Sequence, residues 1–289
     1  MLVDLVSIQT PDEVNLDGSL RRPDAGTECS LPIDCVIMHH GVGSNFYKSH
    51  FHDPMAERFL ERGCAVMRVN NRGHDLAYNH LPQGRLGAAF EIIGDCRIDW
   101  KCWIDFAEAE GFERIGLWGH SLGAVKTIYY MGTEKDARIR RVIASSPPRF
   151  SHSAYLARND GDIFGKQVEL AQKLADAGEM EAIFAITVPT GALMTTRTFF
   201  DKYGPEERYD ILKHLPGIAA PLLVLFGGLE GNVPENVDRF GFGGLADMVS
   251  EFAAGTDNAA CSVIDGGDHF YTGRTEELWT VVDGWLNQD

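Results

Sequence analysis

The chain is short of positive charge. Its 289 residues hold 26 Lys and Arg against 42 Asp and Glu, a formal net charge of −16. Such a field repels a polyanionic partner such as nucleic acid, and no basic run longer than Arg21-Arg22 or Arg140-Arg141 offsets it. Long apolar runs are missing too: none reaches the roughly 18 residues that a membrane span needs. The amino terminus, Met1-Leu2-Val3-Asp4-Leu5-Val6, has an acid where a signal peptide carries basic residues. The six cysteines (Cys29, Cys35, Cys64, Cys96, Cys102, Cys261) include no C-x-x-C pair and read as reduced thiols of a cytoplasmic protein. His39, His40, His50 and His52 have no carboxylate or cysteine at metal-ligand spacing, so neither metal nor other cofactor is expected. What remains is a protein with a small-molecule partner. Its oligomeric state, homodimer included, is not legible.

Apolar runs and helical spacings alternate along most of the chain. Residues 3–9 and 14–20 read as an opening pair of strands around the turn-forming Asn15-Leu16-Asp17-Gly18. Short apolar runs follow at 35–38, 65–69, 114–118, 142–144, 221–226 and 261–264. Between them lie helical spacings, notably 91–110, where Ile92, Cys96, Trp100, Trp103 and Ile104 recur every three or four residues, and 276–286 at the end. On the helix 91–110 the two tryptophans read as core, and Asp99 and Asp105 as a solvated face. This alternation predicts a mostly parallel sheet covered on both faces. It breaks at 150–216, which carries helical spacing at 167–177, then Thr, Met and aromatics, with no convincing buried strand. That segment reads as a helical cap inserted into a core formed by 1–149 and 217–289.

Four strand ends carry unusual polar chemistry, and in open parallel sheets ligands bind beyond the carboxyl ends of the strands. The most informative is Gly119-His120-Ser121-Leu122-Gly123, set between a strand and a buried helix. A G-x-S-x-G in that setting holds the serine on a tight turn with its hydroxyl projecting, and the flanking glycines avoid a clash where strand and helix crowd the turn. Serine is a poor nucleophile without an adjacent base. His269, in a Gly-rich loop after the last strand, is the candidate base. Glu230, just past the preceding strand, is the candidate to hold the other imidazole nitrogen; Asp265 and Asp268 compete for that role, but they lie so near His269 that the loop would have to contort. At the fourth end, His39-His40-Gly41-Val42-Gly43, the amide of Val42 would join that of Leu122 as an oxyanion donor. His120 reads as a packing residue behind the serine. His40, Gly41, His120, Met194 and Phe199 are expected to contact substrate, with Phe184, Phe200 and Tyr203 adding apolar surface from the cap.

With these residues in place, the chain resembles the α/β-hydrolase superfamily over nearly its whole length. The order Ser121, Glu230, His269 is similar to that family's order of nucleophile, acid and base. His40-Gly41 resembles its oxyanion loop, and Asn71-Arg72-Gly73-His74 its R-G-H segment. Two departures stand out: a Glu where Asp is commoner, and no H-G-G-G loop, which places the resemblance with the shorter-loop branch. A serine at the turn, in place of aspartate, argues against the dehalogenases and epoxide hydrolases of similar fold.

The resemblance implies a serine hydrolase forming an acyl-enzyme, with a small to medium, largely uncharged and apolar carboxylic ester as the expected substrate. Thioesterase, lactonase, amidase and carbon–carbon hydrolase activities use the same three side chains, and a non-catalytic small-molecule binder on this fold is the alternative of a different class.

Overall fold

In the computed structural model, which describes residues 3–48, 51–231 and 241–288, each of the six later apolar runs becomes a sheet strand. The chain opens with the antiparallel pair β1 (Asp4–Gln9) and β2 (Asn15–Arg21). It continues through β3 (Cys35–His39), α1 (His52–Glu61), β4 (Ala65–Val69), a small hairpin of β5 (Tyr78–His80) and β6 (Gly84–Leu86), α2 (Cys96–Ala109), β7 (Ile115–His120), α3 (Leu122–Glu134) and β8 (Ile139–Ser145). An intervening segment carries α4 (His152–Ala157), α5 (Gly161–Asp176), β9 (Ile183–Ile186), β10 (Ala192–Thr195), α6 (Thr196–Tyr203) and α7 (Ile211–His214). Then come β11 (Leu222–Gly227), α8 (Gly228–Gly231), α9 (Leu245–Ala254), β12 (Ala259–Ile264) and α10 (Thr275–Leu286).

Eight strands form one sheet in the order β1-β2-β4-β3-β7-β8-β11-β12. The six from β4 to β12 in that order run parallel, and β2 joins β4 antiparallel. Central strands β3, β7 and β11 are buried along their whole length, which is why they read as continuous apolar runs without alternation. Successive side chains feed opposite faces. Leu117 packs with Trp100, Trp103 and Val125 on one side, and Trp118 with Val36, Phe59 and Leu225 on the other. Among the described residues, no helix is long and apolar enough to cross a membrane.

Four expectations need correction. Asn15-Leu16-Asp17-Gly18 form no turn but begin β2, and the chain reverses just before them, where Glu13 N donates to Thr10 O at 2.8 Å. The segment 150–216 is not purely helical: β9 and β10 pair antiparallel, with Phe184, Ile186 and Met194 buried on one face. The in-out alternation Ile183-Phe184-Ala185-Ile186 is a strand signal too short to stand out beside the helical spacing upstream. The helix expected from Glu91 begins at Cys96, after a 3₁₀ turn at Ile93–Asp95, because Ile92 is extended and Glu91 turns into a buried ion cluster. Asp99 is not solvated. It lies buried under Arg72, whose Nε and Nη2 donate to it at 3.0 and 2.8 Å.

Candidate active site

Ser121 sits where β7 ends and α3 begins, with φ 56° and ψ −124°. A non-glycine residue in that region is strained, at a cost of about 1–3 kcal/mol, and persists only where its surroundings hold it. Here its amide donates to Ser145 O at 2.9 Å and its carbonyl accepts from Ala124 N at 2.9 Å. The flanking glycines are required by contact: a Cβ on Gly119 would lie 2.3 Å from Gly123 O, and one on Gly123 2.5 Å from His39 O. The turn therefore aims the Ser121 side chain away from the sheet and into a cavity of about 970 Å³.

Two further loops converge on that hydroxyl. His269, carried past β12, places Nε2 3.0 Å from Ser121 Oγ. Its Nδ1 lies 2.8 Å from Oε2 of Glu230, which is buried in α8 after β11. Glu230 Oε1 accepts from the Gly227 amide at 3.1 Å and from the Ser146 hydroxyl. Because Ser146 gives its proton to Glu230, the phenol of Tyr271, 2.9 Å away, acts as donor to Ser146. Ser146 and Tyr271 were not among the expected site residues. Their only signals are positional: Ser146 follows the end of β8, and Tyr271 stands two residues beyond His269.

His120 lies against the back of this arrangement. Its Nε2 donates to the carbonyl of His269 at 2.8 Å and its ring stacks on Phe51 at 4.5 Å. Burial brings its pKa down to about 3, helped by the nearby His269, so the ring stays neutral and fixes the His269 backbone. On the facing loop, Gly41 approaches so closely that a Cβ there would stand 3.0 Å from Ser121 Cβ. The Leu122 amide opens α3 and has no acceptor within the helix. The residues Leu122 and Val42 both line the cavity beside Ser121.

Of the residues expected to contact substrate, Gly41, His120 and Met194 line the cavity, and two do not. Phe199 is fully buried inside the inserted segment, its ring centroid 5.4 to 6.1 Å from those of Phe164, Phe184, Phe200 and Tyr203. It is core, as are Phe184 and the half-buried Phe200 packed against it. His40 is buried behind the loop, its Nδ1 donating to Gly41 O at 2.7 Å and its Nε2 facing Asn71 Nδ2 at 3.4 Å. Burial lowers its pKa to about 3, and its neutral ring supports the loop from behind. Lys202 and Phe242, which were not expected there, also line the cavity. Among the described residues no group of three His, Cys, Asp or Glu side chains is disposed to hold a metal; His50 lies outside them.

A parallel sheet with a serine on a strained strand-to-helix turn, backed by histidine and glutamate at neighbouring strand ends, defines the α/β-hydrolase architecture. Residues 36–279 match the alpha/beta hydrolase family, and the chain belongs to that family. No curated protein matches it in sequence at a significant level. Among solved structures, it is similar to the alpha/beta hydrolase GrgF from Penicillium sp. sh18, with TM-score 0.68 at 15% identity over 99% of this chain and 98% of that one. It is similar also to Est1E from Butyrivibrio proteoclasticus with ferulic acid bound, with TM-score 0.66 at 17% identity over 97% of each chain. The esterase PF2001 of Pyrococcus furiosus gives TM-score 0.61 at 19% identity, over 99% of this chain and 90% of that one. At these identities the likeness is one of fold.

Proposed function

We infer that the protein is a serine hydrolase that cleaves a carboxylic ester through an acyl-enzyme. One observation carries this reading: a single imidazole bridges Ser121 Oγ at 3.0 Å and Glu230 Oε2 at 2.8 Å, with the serine facing a cavity. In this scheme Ser121 Oγ attacks the ester carbonyl while His269 Nε2 takes its proton. The tetrahedral oxyanion is held by the amides of Val42 and Leu122. His269 then gives the proton to the departing alkoxide, so an alcohol leaves and the acyl group stays on Ser121. Water attacks next, with His269 as base, and the carboxylic acid is released. Glu230 accepts the Nδ1–H bond throughout and holds the ring in the productive tautomer.

The cavity walls support an apolar substrate. Phe51, Met55, Phe150, Met194, Phe242 and Leu278 are among the residues that line it. A volume near the top of the usual range of about 300–1,000 Å³ leaves room for both acyl and alcohol portions. We assign the segment 150–216 the role of a cap: Phe150, residues 189–194, Lys202 and Tyr203 form the wall it contributes.

A panel of nitrophenyl esters from acetyl to palmitoyl, assayed beside thioesters, lactones and anilides, tests the bond cleaved. Preference for acetyl to octanoyl esters is expected. Efficient turnover of anilides alone, or thioesters alone, would contradict ester hydrolysis.

A further inference from the structure

Ser121 is not the one strained residue at the site. Ser146, just past β8, has φ 50°, and Tyr271, in the loop after β12, has φ 54°. Residues other than glycine keep such conformations only where their surroundings hold them, and they cluster at functional sites. Both side chains are buried. The Ser146 amide donates to Leu225 O at 2.7 Å, and its hydroxyl donates to Glu230 Oε1. The Tyr271 backbone is tied within its own loop, its amide to Asp268 O at 3.0 Å and its carbonyl to the Arg274 amide at 2.9 Å. Its ring centroid lies 5.5 Å from that of Phe51, and its hydroxyl meets Ser146 Oγ at 2.9 Å. The phenol keeps its proton, because burial and next the charge of Glu230 hold its pKa well above the ordinary tyrosine value. One chain of hydrogen bonds therefore runs from Tyr271 through Ser146 and Glu230 to His269, and so returns to the loop it started from.

We propose that Ser146 and Tyr271 are positioning residues that act on His269 through Glu230, fixing the carboxylate and limiting its pull on the imidazolium. The proposal rests on the hydrolase reading of the same site. The Ser146 hydroxyl and the Gly227 amide both donate to Oε1, which leaves Oε2 for His269 Nδ1. Each donor on Oε1 stabilises carboxylate charge there. Without the Ser146 donor, more of that charge bears on the Nδ1–H, and an opposite charge close by favours the protonated ring. The base would then be lost at a higher pH, so the intact chain of bonds keeps it free further into the acid range. Titratable side chains that also face this group are Asp268, on the same loop as His269, and the buried, neutral His120 at the end of β7. Cys261 of β12 acts on the Tyr271 phenol. All three stay in place in the variants that follow.

The test follows the acid limb of kcat/KM against pH on a nitrophenyl ester. Ser146→Ala should move that limb to higher pH by about half a unit to one unit, the worth of one hydrogen bond. Ser146→Gly should move it equally: glycine adopts the positive φ without strain, so a shift common to both variants comes from the lost hydroxyl and not from the backbone. KM should change by less than about twofold, since Ser146 does not line the cavity. Tyr271→Phe keeps the ring against Phe51 and removes only the outer donor, so its shift should have the same sign and be smaller. NMR of isotope-labelled histidine follows the His269 ring directly and needs no turnover. An acid limb and a ring titration that stay unmoved in both Ser146 variants would overturn the proposal and leave the hydrolase reading standing. A ring titration that moves as expected, in a protein that hydrolyses no ester and takes up no fluorophosphonate, would support the chain of bonds and remove the hydrolase reading. If neither Ser146 variant folds, Tyr271→Phe decides, and an unmoved limb there overturns the proposal.

Discussion

Glu230, rather than the nearer Asp268, meets His269: Glu230 Oε2 lies 2.8 Å from Nδ1, while Asp268 spends its carboxylate on the amides of Phe270 and Thr272, each at 2.9 Å. The side chain next in sequence is the wrong one because its loop folds back on itself. Glu230→Gln is expected to lower kcat by about 10³–10⁴-fold, since the amide favours the wrong imidazole tautomer. Asp268→Asn should cost far less. Steady-state kinetics of both variants check this, and a crippling Asp268→Asn with a mild Glu230→Gln would reassign the acid.

Gly123→Ala tests the packing of the turn. Its new Cβ would meet two backbone carbonyls, His39 O at 2.5 Å and His40 O at 2.6 Å, neither of which can swing aside. Overpacking of this kind typically costs about 1–3 kcal/mol. The urea midpoint should fall accordingly, and an unchanged midpoint would mean that the contact between strand and helix is looser than described.

Most of the sheet was legible, because the parallel strands carry short apolar runs, unbroken in the case of residues 222–226, and several of these runs end in loops rich in glycine and polar residues. Ser121, Glu230 and His269 could be singled out for the same reason: each lies within a few residues of a strand's carboxyl end, so local pattern and topology point to one place. What stayed hidden depends on partners distant in sequence. Asp99 meets Arg72 across 27 positions and Glu91 meets Lys126 across 35, and nothing in the residues beside them announces a buried ion. Phe199 was misplaced because apolar residues at helical spacing mark a buried face without telling core from cavity wall.

The buried cluster makes a prediction about stability. Burial alone would raise the carboxyl of Glu91, but Lys126 and Lys202 outweigh it and bring the pKa down to about 2. With the folded value below the unfolded one, this contribution is complete above about pH 4.5 and is lost as pH falls through about 2. Glu91→Gln should cost about 3–5 kcal/mol at neutral pH, because it leaves two buried ammoniums unpaired. Lys101→Ala, which removes the exposed pair with Asp105, should change stability by less than about 1 kcal/mol. Chemical denaturation of the two variants provides the comparison; equal effects would contradict the cluster.

Four buried histidines set the acid response. Burial, with smaller contributions from nearby cationic groups, lowers the pKa of His40 and His120 to about 3 and holds those of His39 and His52 well below the ordinary histidine value. Unfolded histidine takes up its proton near about pH 6.5. The stability these neutral rings provide is therefore complete above that pH and is lost as pH falls toward 3. Each ring contributes a slope of up to about 1.4 kcal/mol per pH unit within the window. Denaturation midpoints should drop clearly between pH 7 and pH 5, and His120→Phe should flatten the decline. Midpoints that hold level over that range would show that these rings are already protonated in the fold.

The nucleophile is the centre of the account, and active-site labelling reaches it most directly. The wild-type protein, treated with a serine-directed fluorophosphonate and mapped by mass spectrometry, should carry one adduct per chain, on Ser121. Ser121→Ala should take up no probe, keep its fold by circular dichroism, and lose at least about 10³-fold in kcat on the best nitrophenyl ester. An adduct on another residue, or near-normal turnover by Ser121→Ala, would contradict the assignment of Ser121 as the attacking group.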